Sequence, residues 1–397
     1  MKKLVAILVV FAMIAGAAFA LDLSAGVTMR VTLIEGNSEY DTTTPYWGGE
    51  DKWPRSGWDG WWWLGGKKTN DENTAGAAFS FAADALSNDG KAFYHNDDNW
   101  AVGWWRPLDQ IYFAIGKTGE GGVGFAGADM CAWGYQSNDL LISPEFNYYN
   151  GYAGSLGLND GHGFFDPGDV RMQLSIMPID MIKLHFGWDP GGEFTPWFAH
   201  NIAIQLAVAI PGAGEAAVGF KSAPINNEKQ IAVQYTQSID AIKFELGFKT
   251  WFNPDNSDFK APIHLGLGFR YGSPWGDTFW LSARVAASIP TEDDGTTLIG
   301  FGICPSYDLG IFRVYCPIDI TIGLPSEGDS VFAWSINPYI RKEMGGIEFW
   351  AGVQLYSGVN GYINGSVFGT ASDAVWYPLH VKDAVNWAIP IAILWAW

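Results

Sequence analysis

The last thirteen residues limit what this chain can become more than any other stretch. Val385, Trp387, Ile389, Ile391, Ile393, Trp395 and Trp397 share one parity, and Asn386, Ala388, Pro390, Ala392, Leu394 and Ala396 share the other. That is the two-residue period of a strand with one greasy face. In a soluble sheet, a flat apolar strand at the chain's end invites edge-to-edge aggregation. In a closed sheet within a bilayer, neighbouring strands satisfy its backbone and lipid meets its apolar face. The pattern therefore predicts the closing strand of a transmembrane barrel.

The residues after position 20 mirror it. Leu21, Leu23, Ala25, Val27, Met29, Val31 and Leu33 alternate with Asp22, Ser24, Gly26, Thr28, Arg30 and Thr32, long enough to cross the hydrocarbon layer, for which about 9–11 tilted residues suffice. Similar runs follow near 75–86, 91–95, 99–106, 110–117, 169–177, 181–188, 201–210, 215–221, 229–237, 241–251, 263–271, 277–289, 298–306, 311–323, 331–341 and 346–357. Together they make an all-β, antiparallel, up-and-down barrel of about 16–18 strands, the lower count applying if the short 91–95 run and its neighbour drop out. Tight Pro/Gly/Asp turns, such as Pro178-Ile179-Asp180 and Asp308-Leu309-Gly310, alternate with longer polar connections, chiefly 34–74, 118–168 and 358–384. Short turns at one end and long loops at the other are the membrane-barrel asymmetry. A weak repeat reinforces it: Pro107-Leu108-Asp109, Pro178-Ile179-Asp180 and Ser238-Ile239-Asp240 each join two alternating runs, predicting hairpins. Pro317-Ile318-Asp319 has similar letters, but alternation runs through it from Phe312 to Ile322. One unbroken strand with Pro317 at a bulge is expected there.

Composition agrees. Apolar residues are 48% of the 397 but charged ones only 16%, against roughly 25% in soluble domains, so a large watered surface would be short of charge. The 49 Gly and 21 Trp suit a tightly packed wall with interfacial rings. Lys2 and Lys3, the apolar run from Leu4 to about Ala17 and Ala18-Phe19-Ala20 form a cleavable signal peptide over 1–20, leaving 21–397 as the barrel. The formal charge of −19 excludes a basic nucleic-acid groove. Loop acids such as Glu50, Asp51, Asp59, Asp97, Asp98, Glu292 and Asp293 would instead favour cation entry. Cys131, Cys304 and Cys316 are odd in number, and strand parity sets Cys304 toward the lumen and Cys316 toward lipid, so free thiols are expected.

The alternating final strand with its terminal aromatic resembles those of bacterial outer-membrane β-barrels. The resemblance implies an outer-membrane, Gram-negative-type location and recognition of Trp395 and Trp397 by the barrel-assembly machinery. The Gly- and Trp-rich strands and Pro-Ile-Asp hairpins are similar in style to porin-like proteins of spirochaetes such as treponemes.

If the aliphatic parity faces lipid, the other parity lines a wet lumen: Arg30, Arg171, Lys183, His185, Lys243, Glu245, His264, Arg270, Arg284 and Glu348. That predicts a passive, porin-like channel for small hydrophilic solutes, mildly cation-preferring, without a cofactor, monomeric or homotrimeric. The alternative is a surface adhesin or ligand-binding barrel, possibly for carbohydrate, using Trp47, Trp53, Trp58, Trp61, Trp62 and Trp63 of the first loop as flat contact faces. The Gly-rich 118–168 loop either covers the mouth or folds inward; folded in, Asp129, Asp139 and Glu145 would oppose the lumenal arginines. Nothing supports an enzyme: the lumenal histidines have no partnered nucleophile, and no Gly-x-Ser-x-Gly or paired-carboxylate motif occurs. Asp255 to Asp258 and Glu292 to Gly295 are acidic but lack EF-hand spacing, and Gly119 to Gly127 lacks a phosphate loop's Lys-Ser/Thr.

Overall fold

The computed structural model describes residues 22–38, 58–84, 100–116, 123–125, 172–189, 201–222, 229–256, 258, 260–273, 276–293, 295–336, 338–357 and 385–396. The described residues contain only strands, turns and loops. The first half comprises β1 (Asp22–Asn37), β2 (Trp58–Thr69), β3 (Ala75–Asp84), β4 (Trp100–Leu108), β5 (Ile111–Gly116), β6 (Met172–Ile179), β7 (Ile182–Asp189), β8 (Asn201–Ile210), β9 (Gly214–Ser222) and β10 (Lys229–Ile239). The second comprises β11 (Ile242–Phe252), β12 (Ile263–Tyr271), β13 (Phe279–Ile289), β14 (Thr296–Asp308), β15 (Arg313–Tyr315), β16 (Ile318–Pro325), β17 (Val331–Ile336), β18 (Tyr339–Met344), β19 (Ile347–Gly352), β20 (Gln354–Ser357) and β21 (Asn386–Ala396).

All pairing is antiparallel, and β1 pairs with β21, from Gly26 opposite Ala396 to Asn37 opposite Asn386. The sheet therefore closes. Three pairs of segments are halves of single wall strands: β15 with β16, β17 with β18, and β19 with β20. The wall accordingly has 18 strands. Both described ends lie at the short-turn rim, as an even count requires.

The turns show why that rim is tight. Two residues, Gly345 and Gly346, join β18 to β19 with φ of +59° and +83°, the left-handed pair a two-residue hairpin needs and glycine supplies without strain. In the hairpins around Asp109 and Asp180, the register slips between Trp105 and Leu108 and between Ile176 and Ile179. Each slip spans a proline, which has no N–H to give the ladder. The repeated Pro-aliphatic-Asp turns are thus repeated hairpins, and the third, at Ser238, needs no slip.

Four sequence expectations change. The segment 34–74 is not one loop, because β2 runs through it and pairs with β1 and β3. The 311–323 strand is divided at Cys316 and Pro317, yet no bulge occurs: Ser306–Tyr315 and Ile303–Ile318 belong to one unbroken register. The expected strands 331–341 and 346–357 are divided in the same way. Residues 1–20, the 91–95 run, 358–384 and Trp397 lie outside the described residues. Cys304 is buried and Cys316 half-buried, and the two are not joined in a disulfide; Cys131 is outside the described residues.

Candidate functional site

Exposure decides which face is which. Leu206, Val218, Leu246 and Leu267, in the middle of their strands, are 45%, 53%, 48% and 46% exposed, whereas Gln205, Glu245 and His264, on the opposite parity, are buried. This inverts the soluble arrangement: the oily row faces out and the polar row faces the interior. Exposed Trp105, Tyr271, Phe279, Tyr307 and Trp395 stand near the short-turn ends of their strands on the outer face, where an interfacial girdle belongs.

The inward charges are paired within and across strands. Glu245 on β11 takes Lys243 at 2.5 Å and Arg270 of β12 at 2.9 Å. Lys183 on β7 reaches Glu215 on β9 at 2.9 Å, passing over Ala207 and Ala209 of the intervening strand, whose small side chains leave room. Arg341 and Glu348, on β18 and β19, form a two-pronged pair. His264 lies opposite Lys249 in register and edge-on to Trp251, with 5.0 Å between ring centres; the Lys249 ammonium sits 5.3 Å from the Trp251 ring centre. Arg30 lies opposite Asp59 and Ala392, and Arg284 lies between Gly268 and Gly302. Arg171 is outside the described residues. Glu215, Arg313 and Arg341 were missed by sequence reasoning, although each has the inward parity of its strand.

A polar row on β6 and β7 anchors a piece of the second long connection. Gln173 Nε2 donates to Ser175 Oγ at 2.8 Å and to the carbonyl of Val123 at 3.0 Å, and Ser175 Oγ meets His185 Nδ1 at 2.7 Å. Val123 is buried with Val102, Trp104, Tyr112 and Ala114. Two residues on, Phe125 packs on Ala203 and Ala232 and lies 5.3 Å from the His185 ring centre. Residues 123–125 therefore form a strap against the inner wall, which decides between covering the mouth and folding inward for this piece. Asp129, Asp139 and Glu145 lie outside the described residues.

The tryptophans of the expected contact loop are redistributed. Trp58, Trp61, Trp62 and Trp63 belong to β2 rather than to a loop, and the adjacent Trp62 and Trp63 fall on opposite faces of it. Trp63 lies across Gly26 of β1, where an added Cβ would stand 2.1 Å from its ring. Trp47 and Trp53 are outside the described residues.

No family model matches the sequence, and no curated protein matches it. Among solved structures, the chain is similar to the outer membrane protein opdK from Pseudomonas aeruginosa, with a TM-score of 0.50 and 8% identity over 95% of this chain and 99% of that one. It is also similar to OccAB4 of Acinetobacter baumannii, with a TM-score of 0.49 and 8% identity over 95% and 98%. A third likeness is to the anion-selective porin from Comamonas acidovorans, with a TM-score of 0.49 and 11% identity over 95% and 99%. At such identity the likeness to opdK speaks for the fold: this chain is a closed up-and-down β-barrel of the outer-membrane type.

Proposed function

We propose that the protein is a porin-like passive channel that lets small hydrophilic solutes cross an outer membrane after export by its 1–20 leader and insertion by the barrel-assembly machinery. The observation that carries this reading is the inverted exposure of the two parities around a closed wall of 18 strands. A barrel of that size encloses more space than one row of side chains fills. The half-exposed Lys183–Glu215 pair on the inner face suits a wet passage, since a solvated ion pair costs little to keep there.

A mild preference for cations is part of the proposal. Every described acid in the short turns is exposed: Asp71, Glu72, Asp109, Asp180, Asp240, Asp277, Asp308 and Glu343. Within three residues of these turns, these acids with Glu215 and Glu348 make ten against the eight bases Lys67, Lys68, Arg106, Lys183, Lys243, Arg270, Arg313 and Lys342, so this mouth favours cations slightly. The inner wall pulls weakly the other way, because Glu245 is shared by two bases, which is why the preference is mild.

Recording from planar bilayers tests both parts. The purified, folded barrel should give discrete conductance steps, and a salt gradient should give a reversal potential on the cation side. A folded barrel without conductance ends the channel proposal, and an anion-side potential ends the charge preference.

A further inference from the structure

Prolines scattered along the sequence are brought together by the sheet. Pro305, Pro317 and Pro338 lie on three adjoining wall strands along one line, and Pro390 continues it on β21, beyond the strand made of β19 and β20. The Cys316 amide bonds the Pro305 carbonyl at 3.0 Å, the Val353 amide bonds the Pro338 carbonyl at 2.9 Å, and Pro390 stands opposite Thr32 of β1 just before that strand's register shift. None of the four has an N–H to donate, so each removes one ladder bond at this height, although β14 and β21 run unbroken through Pro305 and Pro390. This seam explains why three wall strands are divided at one height.

A row of inward residues runs immediately on the short-turn side of the seam: Trp280 opposite Ser306, Ser306 opposite Tyr315, Tyr315 opposite Tyr339, and Tyr339 opposite Gly352. The small members let the large ones meet. Trp280 reaches Tyr315 over Ser306 at 6.5 Å between ring centres, and Tyr315 stacks on Tyr339 at 4.7 Å and 11°. At Gly352 an added Cβ would stand 2.6 Å from the Tyr339 Cβ. Trp350 closes the group at 5.6 Å from Tyr339, and the Arg341 guanidinium lies 5.0 Å from the Trp350 ring centre. All four rings are 3% exposed or less.

A barrel wall in lipid gains its apolar burial on the outside and needs no aromatic core within. Four rings packed side by side over Ser306 and Gly352 thicken the inner face there, at the edge of the space a solute would use. We infer that the conduit has a wall-made narrow point in its short-turn half, where Trp280, Tyr315, Tyr339 and Trp350 narrow the bore from one side and set the solute size limit. The inference rests on the channel reading above. The proline seam leaves this stretch of wall with fewer ladder bonds to resist bending toward the lumen.

Trp350→Ala and Tyr315→Leu test it, each first checked for heat-modifiable migration so that only folded barrels are compared. Single-channel conductance and the size cut-off for polyethylene glycols of graded mass are then measured beside the wild type. Removing one ring should about double the conductance, because conductance follows the narrowest cross-section, and should admit larger polymers. A silent wild type with conducting variants also supports the inference. Folded variants with wild-type conductance and cut-off overturn it while leaving the channel reading intact. Silence from the wild type and every variant overturns the channel reading and the inference with it.

Discussion

Placing an arginine on either parity of the same row should give opposite results. Leu246 lies in the middle of the wall, opposite Tyr235 and Leu267, and is 48% exposed on the outer face. In Leu246→Arg, about half of a leucine's transfer energy is lost, roughly 1 kcal/mol. An arginine near the bilayer midplane adds about 2–4 kcal/mol. The sum, roughly 3–5 kcal/mol, is about two to three and a half powers of ten in the folding equilibrium. Gln234, opposite Gly247 on the next residue row, has the inward parity. Gln234→Arg places the same charge one pleat from Glu245, and although Gln234 is buried the cost should be held to about 1–2 kcal/mol of repacking, below that of Leu246→Arg. Urea titrations of both variants refolded into phospholipid vesicles, followed by tryptophan fluorescence, give the difference directly. Equal penalties, or a larger one for Gln234→Arg, would refute the assignment of faces.

Other consequences follow from individual contacts. Glu245→Gln leaves Lys243 and Arg270 without their shared carboxylate, so the reversal potential should move toward anions, with about 1–3 kcal/mol of stability lost. Gly26→Ala drives a methyl into the Trp63 ring and should cost about 1–3 kcal/mol; Trp63→Leu in the same chain should restore most of it, measured by urea midpoint. For the strap, a reporter Ala203→Cys in a chain with Cys131, Cys304 and Cys316 changed to Ser should react slowly with a water-soluble maleimide. Phe125→Ala should accelerate that reaction severalfold by uncovering the seat, and an unchanged rate would argue that the ring does not shield Ala203.

The strands that could be read from the sequence are those whose two faces differ in chemistry. In 201–210 and 241–251, aliphatic and polar residues take turns, and period alone fixes their type and orientation. β2 hides because Trp58, Trp61, Trp62 and Trp63 put the same residue type on both parities, which erases the contrast. What makes an inward Trp63 possible is Gly26 on the neighbouring strand, a cross-strand fact outside any single window. The same holds for the four prolines of the seam, spread from Pro305 to Pro390 in sequence and aligned only by register. Lys183, His185, Lys243, Glu245, His264, Arg270 and Glu348 were legible as inward residues from parity, but their pairing was not. The partner of Lys183, Glu215, stands two strands away and is reached only because small residues lie between. Val123 and Phe125 give no periodic signal within their Gly-rich surroundings, so their seat against the wall had to be seen.

The inside-out arrangement is tested most directly by removing the amphiphile. The chain lacking residues 1–20, diluted from urea into buffer, should aggregate or stay unfolded, and on dilution into detergent micelles or lipid vesicles should become β-rich and migrate faster unheated than boiled. A monodisperse, β-rich species in buffer alone would contradict the account at its root, because the leucines and valines on the outer face would then be tolerating water.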